Sequence, residues 1–205
     1  MGKRASVGRK AGGHSAILQG ILHCLPDNRR NRVPGGTFFF TVNLLDRRSD
    51  LLVTQIQVLR DAVLRVRLRA PFHIDAWVVL PDHMHCQWTL PASGADFLGR
   101  WRAIKTAFLK ALPAREWRSP AMTSRGERGI WQRRYWEHTI RDDRDFAAHV
   151  DYTHFNPVTH GLVKHPADWP HSSFRQSVAG GVAQGLYPAG WTGGNPEPLE
   201  TGERR

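Results

Sequence analysis

Two histidines one residue apart, His83 and His85, stand in the run Asp82-His-Met-His-Cys-Gln-Trp-Thr-Leu90. On a strand, alternate side chains share a face, which sets His83 and His85 beside Gln87 and Thr89, the imidazoles about 7 Å apart in backbone rise. Neutral imidazoles at that spacing can converge on one divalent cation. Met84, Cys86, Trp88 and Leu90 fall on the opposite face and suit a core. Spacing alone does not separate a ligand pair from two surface histidines. A second set lies further on. At 100° per residue, Asp145, His149, Tyr152 and Asn156 form one helical stripe within about 60°. Phe146, Ala147, Val150 and Thr153 cluster on the other side and are expected to face the core. Tyr152 thus stands on the polar face of the helix with Asn156 one turn beyond. A surface tyrosine packed along its own helix is the alternative these residues leave open.

Charge narrows the substrate. The 205 residues carry 29 Lys and Arg against 18 Asp and Glu, a net charge of +11 with neutral histidines. Such an excess favours a polyanion, because neutralising phosphates releases counterions. Arg133 and Arg134, beside Tyr135 and Trp136, suit single-stranded or hairpin nucleic acid: rings stack on bases while guanidinium groups meet phosphates. Arg102 and Lys105, on the non-core side of a helix, are further DNA-binding candidates, a merely solvated face being the other reading. Two cysteines, Cys24 and Cys86, are too few for a disulfide framework or a thiolate zinc site. No apolar run approaches the ~20 residues that span a bilayer, and no clean signal peptide opens the chain, so a cytoplasmic protein is expected.

The elements that must position these residues follow from periodicity. Thr37–Leu44 reads as a strand, and Leu52, Ile56, Leu59, Val63 and Val66 step as one helix face. His73–Leu80 and His83–Leu90 read as strands joined by a Pro81-Asp82 turn. A second helix, capped at Ser93 or Asp96, carries Phe97, Trp101, Ile104, Phe108 and Leu112 on one face. Residues 113–129 read as a loop and Tyr135–Ile140 as a fourth strand. Asp142 or Asp143 caps a third helix expected to run to Asn156 and stop at Pro157. The order strand-helix-strand-strand-helix-strand predicts an α+β, ferredoxin-like split βαβ fold: an antiparallel sheet with two helices on one face, plus the third, tyrosine-bearing helix. Residues 1–33 read as a basic flexible arm, 34–175 as the domain, and 176–205 as a Gly/Pro-rich tail.

Longer segments surround these motifs. Ala76-Trp-Val-Val-Leu-Pro-Asp-His-Met-His-Cys-Gln-Trp-Thr-Leu-Pro91, Trp131-Gln-Arg-Arg-Tyr-Trp-Glu-His-Thr-Ile-Arg141 and His149-Val-Asp-Tyr-Thr-His-Phe-Asn-Pro-Val-Thr-His-Gly-Leu-Val163 follow in order. They are joined by Gly35-Gly-Thr-Phe-Phe-Phe-Thr-Val-Asn43, Asp168-Trp-Pro-His-Ser-Ser-Phe174 and Gly185-Leu-Tyr-Pro188. Together these blocks resemble the REP-associated tyrosine transposases, of the single-tyrosine HUH transposase superfamily. The resemblance covers residues 35–192 and leaves out the first ~25.

It implies that His83 and His85 bind Mg2+ or Mn2+, that Asn156 completes the metal site, and that Tyr152 is the nucleophile. It further implies single-stranded hairpin DNA (repetitive extragenic palindromes) as substrate, a 5′-phosphotyrosine intermediate with a free 3′-OH, a monomer rather than a dimer, and a nucleoid-associated enzyme. Two rivals are a non-catalytic hairpin-binding regulator and a small zinc hydrolase built on His83 and His85 with Asp82 nearby. The second lacks a third strong ligand.

Overall fold

The computed structural model describes residues 32–114, 119–126 and 128–180. The expected arm and tail therefore lie outside the described residues, apart from positions 32–33 and 176–180. In order the elements are β1 (Thr37–Asn43), α1 (Leu51–Thr54), α2 (Ile56–Arg69), β2 (His73–Val79), β3 (His83–Thr89), α3 (Phe97–Ala111), α4 (Pro120–Ser124), β4 (Trp136–Thr139), α5 (Asp143–Thr159) and α6 (Phe174–Ala179), with a 3-10 turn at Pro166–Asp168. The last helix crosses the boundary expected at residue 175. The strands form one sheet in the order β2-β3-β1-β4, and every neighbouring pair is antiparallel. This is the α+β, split βαβ arrangement that the periodicity predicts.

One sheet face makes the apolar core. Phe38, Phe40 and Val42 of β1 and Met84, Cys86 and Trp88 of β3 pack against Leu59, Val63 and Val66 of α2 and Phe97, Trp101, Ile104 and Phe108 of α3. Trp88 stacks on Trp101 with ring centroids 4.3 Å apart, and Phe72 lies 4.1 Å from Trp88 on centroids. The two helices are tied at their ends by Arg100. Its guanidinium donates to the carbonyls of Ala70, Pro71 and Asp96, giving partners to carbonyls at the α2 terminus. Of the two expected caps of α3, Asp96 serves, accepting from Gly99 N at 2.8 Å.

Three expectations are corrected. The loop 113–129 contains the short helix α4, started by Ser119, whose hydroxyl accepts from Met122 N, with Pro120 in the first turn. Next, α5 does not stop at Pro157 but runs through it to Thr159. Proline near a helix end sacrifices one hydrogen bond without preventing another turn. The stop is Gly161, whose φ of 69° lets Gly161 N bond to Val158 O and Leu162 N to Pro157 O, the paired bonds of a Schellman motif. The third correction concerns α5 itself, which covers the second sheet face. Its buried residues are Asp145, His149, Val150, Thr153, His154, Phe155, Asn156 and Pro157, while Phe146 and Ala147 are only half-buried. The polar stripe faces inward because the sheet face beneath it carries Thr41, His83, His85 and Gln87, all buried, among apolar Phe39, Ala76 and Val78.

Candidate active site

His83 and His85 enter the protein rather than solvent, at 1% and 0% exposure. Register explains their neighbours: β1 pairs with β3 so that Asn43 opposes His83, Thr41 opposes His85 and Phe39 opposes Gln87. His83 Nδ1 donates to Asp82 Oδ1 at 2.7 Å, and His85 Nδ1 shares a hydrogen bond with Thr41 Oγ1 at 2.9 Å. A carboxylate can only accept, so the His83 contact leaves Nε2 as the basic nitrogen. Donation from His85 Nδ1 to Thr41 would do the same for the second ring. Burial alone would raise the Asp82 carboxyl. The hydrogen bond from His83 and the charge of Arg47, whose Nε lies 2.9 Å from Oδ2, outweigh burial and hold it below its usual range.

Helix α5 brings its tyrosine to this pair. The Tyr152 ring meets His85 edge-on, centroids 5.1 Å apart at 79°, and His85 meets His83 at 5.0 Å and 85°. Phe39, fully buried, lies beneath: its ring stacks on His85 at 5.7 Å and takes the Tyr152 ring edge-on at 5.8 Å. His160, past the end of α5, sits 5.1 Å from His83 on centroids. Asn156 is buried at 2% exposure, one turn beyond Tyr152, and its Oδ1 accepts no hydrogen bond from the described residues. An orphaned buried carbonyl oxygen on the helix that covers two such imidazoles fits the donor set of a hard or borderline divalent cation.

A second cluster anchors the start of α5. Asp142 caps the helix by accepting from Asp145 N at 2.8 Å. The Asp145 carboxylate accepts from His138 Nε2 at 2.8 Å and from Arg141 N and Nε at 3.0 Å each. Burial opposes its charge, but the bonds from Arg141 and His138 win and hold the carboxyl far below the usual range. His149 donates from Nδ1 to the Asp145 carbonyl at 2.8 Å and stacks on His138 at 4.7 Å and 13°. The ligand atoms of His138, Asp145 and His149 lie within 4.8 Å of one another, a set that could hold an ion. Holding one would require a ring to turn, because lone pairs in nearly parallel ring planes do not converge and His149 Nδ1 is already donating. In its present geometry the cluster fastens α5 to β4.

The basic candidates are dispersed. Arg133 and Arg134 are exposed just before β4, and Arg102 is exposed on α3. Lys105 is half-buried instead: its ammonium donates to Gln132 O at 3.1 Å and lies over the rings of Trp131 (5.5 Å) and Tyr135 (5.3 Å). Burial lowers its pKa to about 8. Tyr135 packs against Phe40 and Trp101, on the core side of the sheet, away from the histidines. Phe39, Thr41, His138 and His160 also touch the two clusters, with no distinguishing signal of their own in the sequence. Only strand register places the first three, and Phe39 reads as one more apolar residue of β1.

No family model matches the chain. A protein of Escherichia coli (strain K12) named REP-associated tyrosine transposase is 48% identical over 180 residues, 88% of this chain and 98% of that protein. A Haemophilus influenzae protein named for the same family is 42% identical over 171 residues, 82% of this chain and 94% of its own length. Among solved structures, a REP-associated tyrosine transposase bound to a REP hairpin superposes with a TM-score of 0.71 at 48% identity, covering 86% of this chain and 96% of that one. Among the described residues, no helix is long and apolar enough to cross a membrane.

Proposed function

The chain belongs to the REP-associated tyrosine transposases, DNA-processing proteins, and from that premise we propose that it cuts and rejoins single-stranded DNA beside a hairpin with Tyr152 as nucleophile. The observation that carries this reading is the contact of the Tyr152 ring with His85, itself against His83, each imidazole tethered through Nδ1. The Tyr152 phenolic oxygen attacks the scissile phosphorus, and its proton leaves to solvent. The bond from phosphorus to the 3′ oxygen breaks, and that oxygen takes a proton from solvent and departs as a free 3′-OH. The DNA 5′ end stays on Tyr152 as a phosphotyrosine. One phosphodiester replaces another, so attack by a 3′-OH on the phosphotyrosine reverses the step and joins strands.

A free phenol has a pKa near 10, so attack near neutrality depends on alignment and on charge stabilisation at the phosphate. His83 and His85 through Nε2, with Asn156 through Oδ1, would hold Mg2+ or Mn2+. Such an ion polarises the phosphodiester when bound. Phe39 and His85 limit the swing of the Tyr152 ring, and the Asp145 cluster limits sliding of α5. Arg133 and Arg134 are assigned to the hairpin backbone and Arg102 to more distant phosphate. Lys105 acts through the segment it holds, residues 131–135. The enzyme is read as a monomer of the cytoplasm, associated with the nucleoid.

Incubation with labelled single-stranded hairpin DNA and Mg2+ tests the reading. Nicking with a detergent-resistant adduct, mapped to a peptide containing Tyr152, is expected. An adduct on Tyr135, or hairpin binding with no nicking under any divalent cation, would overturn it, the latter in favour of a hairpin-binding regulator.

A further inference from the structure

The helix layer that covers the apolar sheet face carries its own cationic feature. Between α2 and α3 runs a surface groove of about 560 Å³, with Arg65 and Arg69 on one wall, Arg102 and Lys110 on the other, and Ala103 and Ala107 on the floor. All four cations are exposed. Among the described residues, no aspartate or glutamate lines the groove. Asp96, in the cavity that continues it, is engaged in capping α3, and Asp61, one turn before Arg65, accepts from Gln57. Elsewhere on the surface arginines find carboxylates, as Arg47 does with Asp82 and Arg141 with Asp145. Four like charges around one concavity, uncompensated, cost self-repulsion that a polyanion relieves.

We infer that this groove binds the sugar–phosphate backbone of duplex DNA, as a contact separate from the one at Tyr152. The separation is geometric. The groove lies on the α2–α3 layer, whereas Tyr152, His83 and His85 lie under α5 on the opposite face of the sheet. A strand at the tyrosine does not occupy the groove without passing around the domain, so the occupant is a second stretch of DNA, such as the duplex that flanks a substrate. The contact is to phosphate. Guanidinium groups along a small-residue floor meet a regular series of charges, and among the described residues the groove presents no aromatic ring for base stacking. The inference rests on DNA being the substrate, and its test separates the two.

Binding of a blunt, hairpin-free duplex is measured by fluorescence anisotropy across a salt series, for the wild type and for the triple variant R65Q/R69Q/K110Q. Each lost phosphate contact should reduce the steepness of the log–log salt dependence by about 0.9, so a decrease of roughly 2–3 is expected, with affinity at low salt falling at least about tenfold. The charge-keeping R65K/R69K should retain the wild-type slope. Nicking of a short hairpin should stay at wild-type rate, because none of these residues belongs to the tyrosine site. In the wild type, independently of any variant, duplex should protect Lys110 from amine acylation. An unchanged slope, an unprotected Lys110, or hairpin nicking that falls in step with duplex binding overturns the inference. A wild-type protein that binds duplex through the groove but never nicks hairpins would refute the transposase chemistry and leave the groove standing.

Discussion

The two faces of the sheet are built from the same strands on opposite principles. On the α2–α3 face, Phe38, Phe40, Trp88 and Trp101 interlock as apolar bulk, and each could be described by volume alone. On the α5 face, polar Thr41, His83, His85, Gln87, His149, Thr153, His154 and Asn156 are equally buried, mixed with apolar Phe39, Ala76, Val78, Val150 and Phe155. Desolvating polar groups is unfavourable unless each finds a partner. Partners are found at His83, His85, His149 and His154, while the Asn156 carbonyl and the Gln87 amide have no hydrogen bond among the described residues. One face is held together by apolar bulk; the other keeps buried polar groups that the proposed chemistry would use.

If so, the largest effects on activity come from the α5 face with little effect on folding. Tyr152→Phe removes one oxygen from a half-buried ring. It should abolish nicking, a loss of at least about 10³-fold, while the thermal midpoint and hairpin affinity stay within error. Normal nicking by this variant would break the assignment of the face. His83→Ala or His85→Ala should remove cation-dependent cleavage and spare most DNA binding. Cleavage surviving in excess chelator would show that the imidazole pair serves packing instead.

The apolar face should behave the other way. Trp88→Ala deletes a fully buried ring that contacts Phe40, Phe72 and Trp101, and should cost about 3–5 kcal/mol in a denaturant titration. Its specific activity per folded molecule should be retained at low temperature. A loss below about 1 kcal/mol would mean that this layer is looser than its contacts indicate.

That contrast also explains what was legible beforehand. Period-2 alternation in β3 and the apolar stripes of α2 and α3 report the apolar face directly, because burial there follows hydrophobicity. The same rule is half right on α5: Val150 and Thr153 are buried as it predicts, Phe146 and Ala147 are only half-buried, and the burial of Asp145 and His149 goes unannounced, since no apolarity scale reveals a helix whose buried stripe is largely polar. Spacing and residue type single out Tyr152, His83, His85 and Asn156, and the family resemblance alone attaches roles to them. Phe39, Thr41 and His138 depend on which strand lies beside which, and nothing local encodes that. The end of α5 was legible in principle, through Gly161, but Pro157 is the louder signal.

Titration offers an intermediate effect. His154 is fully buried on α5, its Nε2 3.0 Å from Ser173 Oγ, and burial lowers its pKa to about 4 from the usual 6.5. The unfolded chain therefore binds the proton first as pH falls. Its contribution to stability is complete above about pH 6.5 and drains away as pH drops toward about 4, roughly 3 kcal/mol in all. The depressed carboxyls of Asp82 and Asp145 work at lower pH, so they do not mask this window. Urea midpoints should fall steadily from pH 7 to 4.5, and His154→Gln should flatten that slope. An unchanged slope in the variant would move the titration to another imidazole, His149 first, whose pKa burial also lowers.

The smallest expected change is the sharpest test of the comparison. Gln87 lies on the α5 face at 0% exposure, between Phe39 on β1 and Ala76 on β2, and neither atom of its amide has a hydrogen-bond partner among the described residues. A buried amide in that state costs about 1–3 kcal/mol in desolvation. Gln87→Met keeps the length and flexibility of the side chain and removes the polar atoms, so stability should hold or rise by up to about 1–2 kcal/mol. The activity of the same variant then separates two origins of the polarity. Unimpaired nicking would mean that this face is polar only where His83, His85, Tyr152 and Asn156 require it, with Gln87 an unused neighbour. A variant that is more stable but slower would place the Gln87 amide among the groups that orient the site, its poor packing retained because catalysis uses it. A clearly less stable Gln87→Met would contradict both, since it would show that the amide makes bonds in solution that hold the face together.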